Sequence, residues 1–452
     1  MAAQGKEEIS MDSEKIASLL DSGDLDTLTS LLSSSHPADV ANLLNSLSNE
    51  DARKVFDILS PKDASEVIVE LNDEAKELII EEMESARVGE IVDHMASDDA
   101  ADLLGVLSED DAKKVLEHVS EEDTAQVRRL LSFEEDSAGG IMQAEFASVV
   151  STATVQEVIA ILREMKDEYE DIHNIFVTDR SHVLIGLLPV RKLVLESPQT
   201  VMGAIMETDF VTAHVDQDQE EIARIFKKYD LISIPVTDES GRLVGRITID
   251  DIVDVMEEEA SEDIFKMAGA VSEDILSMST IKSAKTRLPW LFASCIGGII
   301  GLRIIGFYEH NLGKFVALAA FLPVILGMGG NIGTQSTTIV VRGLAIGSVD
   351  VSTLWRIVAK EVRIGFIMGL TYGLLLAAAT SLIYPANPKL SIVVGFSMCA
   401  SMVVASAVGT LMPLFLFKLG TDPAIATGPF VTTTIDIIGI LILFNFAAFF
   451  LF

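Results

Sequence analysis

The chain has 452 residues and only two cysteines, Cys295 and Cys399, both inside apolar runs. That excludes a disulfide framework and a CxxC metal site. Histidine is also scarce: the C-terminal, apolar half holds only His310, and HExxH occurs nowhere, so a zinc metalloprotease of that type is excluded. No GxxxxGK[ST] phosphate loop is present, and no nucleophile stands paired with a base. Basic residues are few, 33 Lys plus Arg against 68 Asp plus Glu, which leaves a formal charge of −35. Such a surface repels polyanions, which disfavours nucleic acid, and attracts multivalent cations. The first residues, MAAQGKEEISMDSEK, lack an apolar core behind the basic residue, so the sequence predicts no secretory signal and a cytosolic location for residues 1–280.

Mean hydropathy is nevertheless +0.40, so charge and apolar residues must sit in different places. Residues 281–452 carry 11 basic and 5 acidic side chains, leaving 22 and 63 for residues 1–280. From Arg287 onward the apolar runs are long enough to cross a hydrocarbon layer of about 30 Å. They predict membrane helices near 286–308, 314–344, 356–384, 389–417 and 424–450. An odd number of crossings puts the termini on opposite sides. With the N-terminus inside, Lys282, Lys285, Arg287, Arg342, Arg356, Lys360, Arg363 and Lys418 fall at cytosolic ends, and only Arg303, Lys314 and Lys389 do not.

Two polar features interrupt these runs. Gly327, Gly329, Gly330 and Gly333 fall within seven residues of the second span, each costing a helix about 1 kcal/mol relative to Ala. The backbone there can unwind and turn carbonyls toward a water-filled path, or simply pack closely against another helix. Asn331 and Gln335, four apart, add amide oxygens on one face and favour a pore. The second feature is Asp436 in the last span, where a carboxylate costs about 2.5–3.5 kcal/mol on insertion scales and no basic residue of that helix neutralises it. Such an acid serves a cation or a proton, or is a structural aspartate bonded to a neighbouring helix. Two copies facing each other across a twofold axis would suit a small hard divalent ion that keeps its waters.

The acidic half is repetitive. Ala38–Val55 recurs sixty positions later as Asp98–Val115, with leucines at i, i+1 and i+4 and Ser or Asp ahead of each run as caps, which predicts stacked helices forming an α-superhelix. Residues 138–256 are β-rich and repeat internally: Ile141-Met142 matches Ile205-Met206, Val177-Thr178-Asp179 matches Val236-Thr237-Asp238, and Leu184-Ile-Gly186 matches Leu243-Val-Gly245. This order resembles the CBS-domain pair. The resemblance implies either a dimerisation module or an adenosine-nucleotide site, with ATP held at Thr248 and Asp251; the first copy has Pro189 and Lys192 there. Eight carboxylates then crowd fourteen residues, from Asp250 to Asp263, ahead of a helix expected over 264–284. Charges this dense repel unless a cation neutralises them, although an ordinary solvated helix would look the same.

With the Gly329-Gly330-Asn331-Ile-Gly333-Thr334-Gln335 motif and the Glu134-Glu135-Asp136-Ser-Ala138-Gly139-Gly140 junction, the whole chain resembles the bacterial MgtE family of magnesium channels. The resemblance implies a multidomain membrane protein: an all-α cytosolic superhelix (1–135), an α/β CBS-domain pair (136–256), a long connecting helix (257–284) and a five-helix transmembrane domain (285–452). It implies a homodimer in the plasma membrane, with Asn331 and Asp436 on the route of a hydrated Mg2+. Sensor ions would lie among Asp98, Asp102, Asp230, Asp251 and Asp254, and between Glu259, Glu262, Asp263 and Asp422, so that cytosolic Mg2+ closes the pore. Thr334 departs from relatives that carry Asn. The rival expectation is a divalent-cation antiporter coupled to Na+ or H+.

Overall fold

In the computed structural model, residues 13–81, 83–164, 172–270, 280–309, 316–345, 354–426 and 428–451 are described, and the chain divides into two compact units, Met1–Met256 and Glu257–Phe452.

The first unit opens with short helices running from Ser13–Ser22 to Glu121–Leu130. Alternate helices pack on one another: Pro37–Ser46 on Pro61–Val69, that on Ser85–Val92, and that on Glu109–Leu116. The expected superhelix is present, and its punctuation is specific. Ser48, Ser60, Ser108 and Ser120 each donate to an Asp three residues on at 2.7 Å, and each accepts from that Asp's backbone N–H. These reciprocal caps satisfy two groups that a helix start otherwise leaves unpaired. Their spacing, 12 within a pair and 60 between pairs, is the sequence repeat made structural.

The CBS pair follows as two three-stranded sheets. In the first, β1 (Ser148–Val150) runs parallel to β2 (Asn174–Thr178), which pairs antiparallel with β3 (Leu184–Pro189). In the second, β4 (Ala213–His214), β5 (Ser233–Thr237) and β6 (Leu243–Thr248) repeat that order. The two Leu-x-Gly motifs have a cross-repeat role. A Cβ on Gly245 would meet the Met142 sulfur at 2.6 Å, and one on Gly186 would meet that of Met206 at 2.6 Å. Each repeat therefore opens its last strand to the methionine that belongs to the other, and bridges at Gln143–Arg246 and Leu187–Glu207 complete the exchange.

Among its described residues the second unit contains five helices long and apolar enough to cross a membrane: Thr280–Phe307, Ala317–Ala345, Leu354–Ile383, Pro388–Lys418 and Pro429–Leu451. They are called the first to fifth membrane helices below, and they match the five expected runs to within a few residues. The third and fourth pack through glycine: at Gly373 a Cβ would lie 2.6 Å from the Gly395 carbonyl oxygen. Such close approach is how helices associate in lipid, where burial of apolar surface gives no net drive.

Two expectations change. The helix expected over 264–284 does not run through: helix Ile249–Met267 ends before Gly269, whose φ of +76° no side-chain-bearing residue adopts readily, and residues 271–279 lie outside the described residues. The glycine-rich second membrane helix does not unwind either; it is continuous from Ala317 to Ala345. Gly333 instead lies against Ile435 and the Gly409 backbone, so the missing side chains provide contact area rather than free carbonyls.

Candidate functional site

Ser97 begins the helix Ser97–Gly105, donates to Glu145 Oε2 at 2.8 Å and accepts from the Ala144 N–H at 2.8 Å. This clamp carries the next residue, Asp98, into the interior of the first unit, where it is 6% exposed and its Oδ1 has no hydrogen-bond partner. Burial, then the neighbouring Asp251 and Asp99, hold the Asp98 carboxyl well above the ordinary range. Asp99 is pushed up to about 7, chiefly by burial and then by Asp251 and Asp102, with Lys76 opposing. Asp251 rises to about 6 through burial, with Asp250 and Asp254 adding and Thr248 opposing. The exposed Asp102 rises to about 6 as well, from desolvation of its carboxyl and then Glu135.

Of the residues that the resemblance implies, Asp98 therefore lies near Asp251, Asp251 near Asp254, and Asp102 near Asp99; Asp99, Asp250 and Lys76 are further members of the group. Asp99 was hidden by its place in a run of acids ahead of a helix, where a capping role is the ordinary reading. Asp230 stands apart: it closes helix Gln219–Tyr229 in a left-handed conformation, φ +51°, and is exposed. Among the described residues no three Asp, Glu, His or Cys side chains form a ready-made metal cage. The acids form a loose group, and within it Asp98 Oδ1 is buried without a hydrogen-bond partner, a cost that a cation bringing its own waters would relieve.

Thr248 and Asp251 bond each other. The Thr248 hydroxyl and backbone N–H both donate to Asp251 Oδ2, at 2.7 and 3.2 Å. This pair starts helix Ile249–Met267, so the Thr-x-x-Asp spacing has a capping function of its own. Both bonds end on one oxygen, which leaves the shape of the site compatible with a ribose approaching the other. In the first repeat Lys192 instead pairs with Glu207 at 2.6 Å.

In the second unit, Asp436 lines a cavity of about 470 Å³ between the first and fifth membrane helices. Ser294, Gly297, Gly298 and Gly301 form one wall, Thr432 and Thr433 continue the other, and Leu326 is the second helix's contribution. Asn331 does not line it. Asn331, Thr334 and Gln335 are exposed along the second helix, on residues that alternate with the buried Gly329, Ile332 and Gly333. The wall from the first helix was not anticipated; its signal is the Gly297-Gly298 pair with Gly301 one turn on.

Of the acids on helix Ile249–Met267, Glu262 is engaged by Lys266 at 2.5 Å. The same ammonium reaches Asp422 Oδ2 at 2.7 Å. Burial alone would lower Lys266; the two carboxylates outweigh it and raise it above its usual value. Asp422 Oδ1 accepts from the Ala424 N–H at 2.7 Å, so it also caps the turn Pro423–Ala426 ahead of the fifth membrane helix. Glu259 and Asp263 lie on the same helix with contacts of their own.

Comparison with known proteins follows the same division. A family profile described as "Divalent cation transporter" matches residues 322–446, one described as "MgtE intracellular N domain" matches 35–136, and the CBS domain matches 138–198 and 202–258. The chain is 38% identical over 320 residues to "Magnesium transporter MgtE" of Thermus thermophilus, covering 70% of this chain and 71% of that protein. It is 36% identical over 324 residues to the protein of that name from Enterococcus faecalis, covering 72% and 71%. Among solved structures, the cytosolic domain of the Mg2+ channel MgtE in complex with ATP is similar at 34% identity and TM-score 0.52, over 54% of this chain and all of that one. The soluble part of a magnesium transporter matches at 28% identity and TM-score 0.51, over 55% and 98%. The acid-rich superhelix, CBS pair and five membrane helices are thus those of a transporter rather than an enzyme, and the chain belongs to the MgtE family of magnesium transporters.

Proposed function

We propose that this chain is a homodimeric, Mg2+-selective channel that limits its own influx through cytosolic Mg2+. The observation that carries the reading is Asp98: a buried carboxyl with an unpartnered oxygen, crowded by Asp99 and Asp251, is unfavourable until a cation arrives. When Mg2+ is scarce, repulsion within this group loosens the superhelix from the CBS pair. When it is plentiful, hydrated ions bridge Asp98, Asp102, Asp251 and Asp254, with Asp230 joining as the arrangement tightens. A second set, Glu259, Glu262, Asp263 and Asp422, locks the connecting segment. Mg2+ holds its waters and needs only one or two direct carboxylates, so a loose group suffices. A ligand shifts such an equilibrium only by its differential affinity, so several ions acting together give the steep response.

In the membrane, Asp436 from each protomer holds the hydrated ion in transit, with Asn331 on the same route. The N-terminal unit lies in the cytosol and the C-terminus on the opposite side of the plasma membrane. ATP sits at Thr248 and Asp251: the nearby ribose hydroxyls would use the free Asp251 oxygen, and a relative's cytosolic domain was crystallised with ATP. Domain limits are proposed at 1–135, 136–256, 257–284 and 285–452.

The test is Mg2+ flux through purified protein in liposomes. The parent should conduct at low internal Mg2+ and shut as it rises, while Asp436→Ala should not conduct. Single-channel current steps are expected; flux that requires a Na+ or H+ gradient and shows no steps would replace the channel with the antiporter.

A further inference from the structure

The five membrane helices contain two acids, and only Asp436 enters the mechanism above. The other, Glu361 on the third helix, is 4% exposed. Its Oε2 accepts from Ser336 Oγ of the second helix at 3.0 Å, and its backbone carbonyl accepts from Ser406 Oγ of the fourth at 2.7 Å. The two hydroxyls lie 3.3 Å apart, which closes a triangle across three helices. Gly365, one turn on, admits this approach: a Cβ there would lie 2.8 Å from that of Ser406 and 3.1 Å from the Met402 carbonyl oxygen.

Apolar residues would pack three helices at lower cost than a buried carboxyl, so a directional bond, and not contact area, is what this position supplies. Ser336 follows Gln335 directly. Thr337, next along, donates to the Gly409 carbonyl at 2.8 Å and to Gly333 within its own helix at 2.9 Å. Gly333 in turn is where Ile435 packs, and Ile435 precedes Asp436. A path of contacts therefore leads from Glu361 through the second helix to Ile435, the residue before Asp436.

We propose that Glu361 is a positioning residue for permeation: through Ser336 it fixes the register of the second membrane helix, and so sets the geometry that Asn331, Gln335 and Asp436 present to the passing ion. This rests on Asp436 as the ion's site. Loss of that site is tested separately by Asp436→Ala, which abolishes flux without reference to Glu361.

The experiment measures Mg2+ and Co2+ fluxes through full-length protein in liposomes, beside melting temperature. Glu361→Leu should lower Mg2+ flux about tenfold and shift the Mg2+ to Co2+ flux ratio at least about threefold, as expected when a site loosens by a fraction of an ångström. Glu361→Gln, which keeps an acceptor for Ser336, should remain within about twofold of the parent on both measures. Ser336→Ala, a small change that leaves the fold intact, should shift the ratio in the same direction as Glu361→Leu. A carboxyl with a merely structural role would lower the melting temperature and leave the ratio alone. The proposal is overturned if Glu361→Leu, or Ser336→Ala where the leucine variant does not fold, keeps the parental ratio, and equally if Glu361→Gln is as damaging as leucine.

Discussion

The acids around Asp98 in the first unit and Asp436 in the second sit in opposite surroundings. Burial first, and then neighbouring acids, hold the carboxyls of Asp98, Asp99 and Asp251 above the ordinary range, with Asp251 raising Asp98 and Asp99 while Asp250 and Asp254 raise Asp251. Asp436 stands at a cavity walled by glycine and threonine, and no other acid is among the described residues that line it. In the proposed reading a crowd of carboxylates would bind cooperatively and report concentration, whereas one carboxylate from each protomer would bind weakly enough to release the ion, as conduction requires. Under the proposed function, the difference teaches that a buried crowd of acids suits a sensor and a glycine-walled carboxylate suits a route.

The comparison breaks most visibly at Asp436. Asp436→Ala should abolish Mg2+ flux, a loss of at least about a hundredfold, which corresponds to about 2.7 kcal/mol. Asp98→Asn should leave peak flux at low internal Mg2+ unchanged. Liposome flux at both internal concentrations separates the two, and an Asp98 variant that fails to conduct at low Mg2+ would erase the distinction.

The next effect falls on regulation. Asp98→Asn together with Asp251→Asn removes two charges from the crowd, so the Mg2+ concentration that halves the flux should rise by about tenfold, the ratio that 1.4 kcal/mol of lost coupling corresponds to. Unaltered inhibition would move the sensor elsewhere.

The same crowding predicts a pH dependence with a definite sign. The folded carboxyls of Asp251 and Asp99 stand at about 6 and about 7, against an ordinary value of 3.8. Between about pH 4 and 7 the folded soluble unit therefore binds more protons than the unfolded chain, and its stability falls as pH rises. Without Mg2+, melting of the separately expressed soluble unit should show a loss on the order of 4 kcal/mol from pH 5 to pH 8, about one pH unit's worth from Asp251 and two from Asp99. Saturating Mg2+ should remove most of that slope. A slope unaffected by Mg2+ would mean that the titrating acids are not those that bind it.

Much of this was legible in the sequence, and the exceptions have physical reasons. The five membrane helices follow from run length, and the sixty-residue repeat follows from Ser-x-x-Asp caps that a local pattern fully specifies. The continuity of the second membrane helix was not legible, because glycine lowers helix propensity in isolation while Gly333 gains contact with the Gly409 backbone only after folding. The role of Asp99 was hidden because two consecutive acids at a helix start look like caps until the CBS pair brings Asp251 to them. The end of the connecting helix at Gly269 could have been read from that glycine, but the dense acids before it suggested an uninterrupted solvated helix.

The smallest expected effect concerns Lys266, which sharpens the comparison by placing a cation of the protein's own among proposed sensor acids. Its ammonium spans Glu262 and Asp422 at 2.5 and 2.7 Å, so one charge already joins the acidic helix to the start of the fifth membrane helix. A tethered ammonium cannot leave, so it sets a constant bias toward the joined arrangement, to which Mg2+ adds. Lys266→Met keeps the length of the stem and removes the charge, leaving Glu262 and Asp422 to repel. At low Mg2+ the joined arrangement should then be rarer and the resting flux higher, by about threefold for a partly exposed pair worth roughly 0.5–1 kcal/mol. At high Mg2+ the two carboxylates are free for a divalent ion, so inhibition should become steeper in Mg2+. A methionine variant with unchanged resting flux and unchanged steepness would show that this pair joins the two segments without bearing on the gate.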